Sequence, residues 1–298
     1  MPELPDITVY CEALADRIQG QALQRIRVLN PFLLRTVVPS LEELEGRKVV
    51  ATRRLGKRIA IGLEDRYWLV FHLMIAGRFD WLDRWPVKPS RQIAALLEFA
   101  SGTLCLREAG KKKRASLHVA RGRELAQYDP GGLEVLTASH AEFDAAIRRQ
   151  NHTLKRALTD PRILSGIGNA YSDEILHRAR LSPVMLTDRL DAAQSERLYE
   201  AARTVLEFWT EQLRTQSAGH FPKKVTAFRE GMAVHGRFGQ ACPDCGTAVQ
   251  RIRYASNETN YCPRCQTQGR LLADRSLSRL LKKDWPRTID ELEQRKNP

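Results

Sequence analysis

Two pairs of cysteines near the end of the chain restrict its possible fold more than any other feature. Cys242, Cys245, Cys262 and Cys265 follow the pattern C-x2-C-x16-C-x2-C, which is the spacing of a tetrahedral zinc site. Two disulfides are the alternative, but the N-terminal residues lack the composition of a signal peptide, so we expect a cytoplasmic protein with reduced thiols. Four thiolates leave no open position on a zinc ion. We therefore predict one structural zinc per chain.

The segment between the two cysteine pairs indicates what this metal holds together. Residues 249–254 alternate between the two faces of a strand, and two C-x-x-C turns joined by such a segment predict a β-hairpin zinc ribbon. Ribbons of this kind bind protein as well as nucleic acid. Arg251, Arg253 and Arg264 favour a partner that carries phosphate.

The charge balance points in the same direction. The chain has 298 residues with 48 Lys+Arg against 35 Asp+Glu, a formal net charge of +13. An excess of this size favours an anionic polymer, because each Lys or Arg placed on a phosphate releases condensed counterions. A basic protein with no such partner is the simple alternative. No segment approaches the roughly 18 apolar residues that a membrane span requires, so we expect no membrane partner.

The pattern of apolar residues changes along the chain and predicts an α+β protein of several domains. After Pro5, helical spacing continues to Gly20, and residues 23–108 then contain short runs rich in β-branched and aromatic side chains, typical of a sandwich or barrel. From Ser139 onward the pattern is helical, and Ser139 with Glu142 has the form of a capping box. Residues 269–298 are expected to form a short basic helix followed by a frayed end.

The segment "SGIGNAYSDEIL" is a candidate anion site. Gly166 to Gly168 form a tight turn, and we predict Asn169 as the N-cap of a helix that begins at Ala170. Backbone amides at such a turn can bind phosphate. An ordinary packing turn between helices is the default interpretation, and Lys155 one helix earlier favours the phosphate clamp.

Two basic turns are weaker candidates. Lys57 follows Gly56 in a predicted hairpin turn, where glycine permits close approach to a ligand. The run from Lys111 to Arg114 is a second cluster. A solvated basic loop is the simpler interpretation of both, and a DNA-facing loop is the alternative.

These segments occur together in one known family. "PELPD", "LGKR", "GIGNAYSDE" and "HGRFGQACPDCG…YCPRCQ" stand in this order between residue 2 and about residue 266, and in this the chain resembles the formamidopyrimidine-DNA glycosylase and endonuclease VIII family. The resemblance implies an N-terminal β-sandwich with flanking helices, then a helix-two-turn-helix domain with a C-terminal zinc ribbon, and DNA between the two halves. We accordingly divide the chain into residues 1–132, 133–225, 226–268 and a C-terminal extension, 269–298.

The resemblance also implies an activity, that of a bifunctional DNA glycosylase and abasic-site (AP) lyase. After removal of the initiator methionine, the secondary amine of Pro2 would attack the sugar of a damaged nucleoside and form a Schiff base, and Glu3 would protonate the opening sugar. Lys57 would contact the phosphate at the lesion. Lys155 and Asn169 would hold the DNA backbone, and the damaged base would leave the stack.

The chain departs from the family's pattern where the lesion is recognised. Relatives that act on oxidised purines fill the space left by the flipped base with a methionine, an arginine and a phenylalanine, and the corresponding residues here are Ile75, Lys112 and Arg114. Asn257 replaces an arginine of the zinc ribbon, five residues before its third cysteine. We therefore expect conserved chemistry with altered lesion recognition, and we assign no function to residues 269–298.

Three functions stay open at this point. The first is the bifunctional glycosylase, favoured because Pro2, Glu3 and Lys57 are all present. The second is a damaged-DNA-binding protein without useful catalysis, and the third is a zinc-ribbon protein that acts on RNA or in a protein assembly. For the favoured function we expect a monomer that binds damaged DNA in the bacterial cytoplasm, at the nucleoid.

Overall fold

The computed structural model describes residues 1–110, 112–223, 225, 228–254, 257–274, 278–280, 282 and 285–296. Contacts divide the chain into two compact units, the first formed by Met1–Gly131 with Phe208–Ala227, and the second by Gly132–Glu207 with Phe228–Pro298. The predicted division into four parts stays a prediction. The contacts add that residues 208–227 belong with the first unit.

The first unit is a β-sandwich that begins with a helix, α1 (Leu4–Ile18). Its strands form two four-stranded sheets, with orders β1-β6-β7-β5 and β2-β3-β4-β8, in which all neighbours are antiparallel. The strands are β1 (Arg25–Val28), β2 (Val49–Leu55), β3 (Arg58–Leu63), β4 (Tyr67–His72), β5 (Gly77–Leu82), β6 (Ile93–Phe99), β7 (Gly102–Glu108) and β8 (Ser116–Arg121). The predicted α+β class and sandwich are confirmed, although β5 and β8 were not expected from the sequence.

The core of this unit lies between the two sheets. Alternate residues of β3 and β4, such as Ile59, Ile61 and Phe71, are fully buried and pack against Phe79 of β5. The apolar face of α1 closes the same core, which explains why that helix is strongly amphipathic.

The second unit carries the helical domain and the zinc ribbon. Its elements are α2 (His140–Arg148), α3 (Leu154–Thr159), α4 (Asn169–Arg178), α5 (Ala192–Ser217), the ribbon strands β9 (Gln250–Arg253) and β10 (Glu258–Tyr261), α6 (Pro263–Thr267) and α7 (Ile289–Lys296). The capping box at the start of α2 is confirmed, because the Ser139 amide donates to Glu142 Oε2 (2.8 Å) and Ser139 Oγ accepts the Glu142 amide. The last ten residues of α5 belong to the first unit.

The C-terminal extension differs from its prediction. A frayed end was expected after a basic helix, but α7 continues to Lys296, and its first turn contains two acidic residues, Asp290 and Glu291, which suit a helix N-terminus. Residues 278–280 are also helical. Among the helices in the described ranges, none is long and apolar enough to cross a membrane.

Candidate nucleic-acid interface and zinc centre

Glu3 is the N-cap of α1 and lies in an almost fully buried position. Its amide donates to Asp6 Oδ2 (2.8 Å), and the two residues form a capping box. Both acidic side chains lie at the positive end of the helix dipole, which stabilises negative charge there. The carboxyl group of Glu3 is therefore held in one place directly beside the N-terminus.

Several charged side chains surround this N-terminus. Burial is the main cause that lowers the pKa of the Met1 ammonium group; Glu3 and Asp6 oppose the change, while Arg78 and Lys57 add to it. These residues are far apart in sequence, so the sandwich brings them together. The Met1 amine lies one residue before the Pro2 nitrogen, and Pro2 itself is buried while Met1 is present.

Lys57 lies in the predicted hairpin. Strands β2 and β3 pair up to Leu55 and Arg58, so Gly56 and Lys57 form a two-residue turn, and Gly56 has the positive φ (+58°) that such a turn requires.

His72 also lies in this region, although no sequence motif predicted it. It pairs across the sheet with Arg58. Burial, followed by the charges of Arg58, Lys57 and His118, lowers its pKa to about 4. His72 is therefore neutral at pH 7 and can donate one hydrogen bond and accept another.

The three predicted space-filling residues lie on neighbouring loops of the sandwich. Ile75, in the loop between β4 and β5, is 59% exposed. Lys112 and Arg114 are exposed in the loop between β7 and β8, while Lys111 lies outside the described residues. A Cβ on Gly110 would lie 3.4 Å from the Ala76 Cβ, so the two loops are in contact at their bases.

In the second unit, Lys155, Asn169 and Asn257 lie in one cleft of about 310 Å³. Its other lining residues include Arg156, the sequence neighbour of Lys155, and Tyr254, an exposed aromatic side chain; neither was predicted as a site residue. Among the described residues, the lining consists of Thr153, Lys155, Arg156, Thr159, Asn169, Pro183, Val184, Tyr254, Asn257 and Thr259. The cleft therefore combines cations, amides and hydroxyls, which are the groups that bind phosphate oxygens.

Lys155 is held rigidly at the wall of this cleft. Its ammonium group donates to the Asn169 carbonyl oxygen (2.7 Å) and to the fully buried carboxylate of Asp173. An ammonium group has three hydrogens, and within the described ranges the third has no partner. Asp173 also accepts hydrogen bonds from His235 Nδ1 (2.8 Å) and from the Asn260 amide (3.1 Å), so one carboxylate fixes three elements of this unit.

The predicted capping role of Asn169 is wrong. Gly168 is the N-cap of α4, with an extended backbone (φ −129°, ψ −154°), and Asn169 is already the first helical residue. Its side-chain Nδ2 donates instead to the Glu258 carbonyl oxygen at 2.8 Å. Asn169 therefore links the start of α4 to β10 of the zinc ribbon.

Two of the three predicted phosphate-binding arginines of the ribbon, Arg251 and Arg264, form ion pairs with acidic residues. Arg264 pairs with Asp290 of α7 (2.9 Å), and its side chain stays 53% exposed. Arg251 pairs with Glu258 at 3.2 Å. Neither arginine lines the cleft that contains Lys155 and Asn169.

The four predicted zinc ligands come together. The Sγ atoms of Cys242, Cys245, Cys262 and Cys265 all lie within 4.8 Å of one another, and the cysteines form no disulfide. The Cys242–Cys265 and Cys245–Cys262 pairs are 3.9 and 3.4 Å apart, close to the roughly 3.8 Å between thiolates that share a tetrahedral zinc ion. These side chains therefore fit a structural zinc ion.

The helix α4 connects this centre to the cleft. Its buried residue His177 has Nε2 3.3 Å from Cys242 Sγ, where the ring can donate to a metal-bound thiolate. Glu174, one turn earlier, accepts the amides of Ala233, Val234 and His235 (2.7–3.0 Å). One side of α4 thus binds residues 233–235, which precede the first cysteine pair of the ribbon.

Comparison with known proteins identifies the family. Family models match residues 1–130 (formamidopyrimidine-DNA glycosylase N-terminal domain), 133–217 (H2TH domain of the same enzyme) and 239–268 (zinc finger found in FPG and IleRS). The formamidopyrimidine-DNA glycosylase of Heliobacterium modesticaldum is 32% identical over 278 residues, covering 89% of this chain and 100% of the relative. The chain belongs to the formamidopyrimidine-DNA glycosylase family.

Solved structures of this family have the same fold. The MutM (Fpg) protein of Thermus thermophilus superimposes with a TM-score of 0.73 at 30% identity, covering 89% of this chain and 98% of that one. The Lactococcus lactis Fpg, solved with DNA containing Fapy-dG, gives a TM-score of 0.79 at 24% identity and covers 89% and 100%; at this identity it shows the fold alone. Formamidopyrimidine-DNA glycosylases are DNA repair enzymes, so this chain is a DNA repair glycosylase with one structural zinc.

Proposed function

We propose that the chain is a bifunctional glycosylase and AP lyase of base-excision repair, with the Pro2 nitrogen as nucleophile and damaged DNA as substrate. The observation that carries the proposal is the set of groups around the N-terminus. A partly buried amine, two cations (Lys57 and Arg78) and a buried carboxyl group (Glu3) lie close together there. Solved relatives from Lactococcus lactis are complexes with DNA containing Fapy-dG or an abasic site, which supports the choice of substrate.

The amine needs little activation at this position. An α-amino group ordinarily titrates near pH 8, and burial together with nearby cations lowers the pKa of the amine that occupies this place while Met1 is present. We infer the same for Pro2 after methionine removal, because the same side chains surround it. A free, uncharged amine is then available at neutral pH.

The chemistry follows from a secondary amine. Its nitrogen forms a bond to C1′ of the damaged nucleotide while the bond from C1′ to the base breaks, and the base takes up a proton as it leaves. The nitrogen then loses its proton, and the C1′–O4′ bond breaks while O4′ takes up a proton, which opens the sugar and leaves an iminium ion. This ion is cationic, so it withdraws electrons when a proton is lost from C2′ and the 3′ phosphate departs. A second elimination releases the 5′ phosphate. In this scheme Glu3 protonates the opening sugar, and Lys57 with the neutral His72 binds the adjacent phosphate.

The cleft of the second unit supports a sequence-independent hold on the DNA backbone. Lys155 offers the cleft a hydrogen of an immobilised ammonium group, Arg156 adds charge, and Asn257 and Tyr254 offer neutral contacts. Phosphate contacts of this type fix the protein on DNA without reading sequence. We also propose that Asn169 and Arg264 contact the DNA backbone. The protein should act as a monomer at the bacterial nucleoid.

A damaged-DNA-binding protein without catalysis is the second candidate. It accounts for the cleft and the ribbon equally well. It does not account for a carboxyl group and two cations gathered at a buried chain terminus, and we therefore favour the enzyme.

Reductive trapping tests this choice directly. We expect the wild-type protein, incubated with a duplex that contains an abasic site and with borohydride, to form a covalent protein–DNA adduct that peptide mapping assigns to Pro2. Intact-mass measurement should show that Met1 is absent. An adduct on a lysine, or full cleavage activity from protein that retains Met1, would refute Pro2 as nucleophile, and absence of both adduct and cleavage would favour the binding protein.

The lesion preference is a finer part of the proposal. The side chains that fill the space left by the flipped base act as a wedge in the base stack. Apolar or aromatic groups at this place compensate the free energy of unstacking, a few kcal/mol. Ile75 keeps an apolar group at that place, but Arg114 brings a long cationic side chain where relatives bring a ring. Arginine can stack on a base, although ordering its side chain costs more entropy than ordering a phenyl ring.

We therefore expect slow excision of oxidised guanine from a well-paired duplex. Abasic sites, ring-opened or saturated bases, and lesions in single strands, bubbles or mismatches should react faster, because their bases are already unstacked. Arg114→Phe should raise excision from paired duplex by about tenfold, or roughly 1.4 kcal/mol, and leave abasic-site cleavage nearly unchanged. Single-turnover rates on matched oligonucleotides measure this. Wild-type excision of paired oxidised guanine at the rate of abasic-site cleavage would contradict it.

A further inference from the structure

Glu108, the last residue of β7, is a buried acidic residue that no step of the proposed chemistry uses. Its side chain is 1% exposed. Oε1 accepts hydrogen bonds from two consecutive amides, those of Arg114 (2.6 Å) and Ala115 (3.0 Å). Oε2 is also buried and bonds to no residue in the described part of the chain.

The main chain of Glu108 is fixed as firmly as its side chain. Its amide donates to the Gln92 carbonyl oxygen (2.8 Å), and its carbonyl oxygen accepts the ammonium group of Lys113. Across the sheet, Glu108 pairs with Gly77 at the start of β5. Glu108 therefore lies at the base of both exposed loops, the one with Ile75 and the one with Lys112 and Arg114.

A buried carboxyl group at this place is costly unless it has a structural use. A buried polar group without a hydrogen bond is unfavourable, and within the described residues Glu108 Oε2 has no hydrogen-bond partner. Its other oxygen, Oε1, holds the backbone of residues 114 and 115 by accepting both amides. The side chain of Arg114 extends from this backbone into solvent. The backbone position from which the long, flexible Arg114 side chain extends is therefore fixed.

We propose that Glu108 is a positioning residue for DNA wedge insertion, which acts by fixing the backbone of Arg114. The inference rests on the proposed function and deepens it. Fixing the backbone removes part of the entropy that an arginine wedge would lose on entering the stack. Loss of Glu108 should then lower the excision rate of lesions in a paired duplex, where a wedge is needed, and not the excision rate of lesions that are already unstacked.

The test compares one lesion in two settings, a paired duplex and a bubble, by single-turnover excision rates of the full-length protein. Glu108→Ala should lower the ratio of the duplex rate to the bubble rate by about tenfold, since small misplacements of a working group cost up to about 100-fold. Glu108→Gln keeps an oxygen for the two amides and should retain the wild-type ratio. Adding Arg114→Ala to Glu108→Ala should lower the ratio no further.

A second readout follows the wedge itself. Fluorescence of 2-aminopurine beside the lesion should rise on binding of wild type and Glu108→Gln, and rise much less with Glu108→Ala. If Glu108→Ala does not fold, Glu108→Asp replaces it, because its carboxyl group is one methylene shorter and cannot reach both amides.

The outcomes separate this inference from the function on which it rests. Equal losses on duplex and bubble, or a Gln variant as impaired as the Ala variant, would overturn the positioning role. A wild-type protein that neither cleaves abasic DNA nor excises any base would instead overturn the proposed function.

Discussion

Glu3→Gln should lower base excision by about 10²- to 10⁴-fold, the range that a positioned proton donor or acceptor contributes. Glutamine can still accept the Asp6 amide, so the N-terminal turn of α1 should keep its structure. It cannot, however, transfer a proton to the opening sugar. Cleavage of preformed abasic sites should fall much less, because the base has already departed in that substrate. Single-turnover rates on a damaged-base duplex and on an abasic duplex measure the two steps separately.

Glu12→Gln is the matched control for this variant. Glu12 lies on the same helix, but its carboxylate pairs with Arg214 (2.6 Å) at the surface and far from the N-cap in sequence. An exposed ion pair contributes only about 0–1 kcal/mol, so we expect unchanged rates and nearly unchanged thermal stability. Equal losses of excision and abasic cleavage in Glu3→Gln, accompanied by a lower melting temperature, would show that Glu3 acts only as a helix cap.

The features that were predicted well from the sequence are those that depend on residues close together in the chain. The capping box of Ser139 and Glu142, the turn at Gly56 and Lys57 and the two C-x-x-C pairs depend on spacings of a few residues. Local geometry determines such features, so local sequence patterns are enough to predict them. The fold class and the structural zinc follow from them.

What the sequence did not predict depends on pairing between distant segments. Strand β8 is recognised only from its antiparallel partner β4, and His72 acquires its low pKa only beside Arg58 and Lys57. The engagement of Arg264 by Asp290 likewise depends on where the C-terminal extension packs.

Asn169 shows the same limit at a single residue. Asparagine is a good N-cap, and the sequence offered no other partner for its side chain. The tertiary contact with the Glu258 carbonyl oxygen takes that side chain away from the helix end, so tertiary structure overrides local preference here.

Removal of the zinc should abolish most of the DNA affinity, although no zinc ligand touches DNA in the proposed function. Metal binding to a four-cysteine site contributes about 10–16 kcal/mol to the folding of small zinc modules. The ribbon supplies Tyr254, Asn257 and Thr259 to the cleft, and its β10 accepts the side chain of Asn169. Without the metal these residues lose their fixed positions. Chelation, or Cys262→Ser, should release one zinc ion per chain, measured by metal analysis, and weaken abasic-duplex binding in titrations.

His177→Ala gives a graded version of the same experiment. If His177 donates to the Cys242 thiolate, its loss should weaken zinc affinity by about 10- to 100-fold, as loss of outer-shell partners does elsewhere, and a chelator competition assay measures that change. Cys11→Ala, which removes a thiol of the sandwich, should leave zinc content and affinity unchanged. DNA affinity should follow zinc occupancy across these variants, because the metal acts on the cleft only through the fold of the ribbon. Full DNA affinity in a folded, zinc-free protein would show that the cleft does not depend on the ribbon.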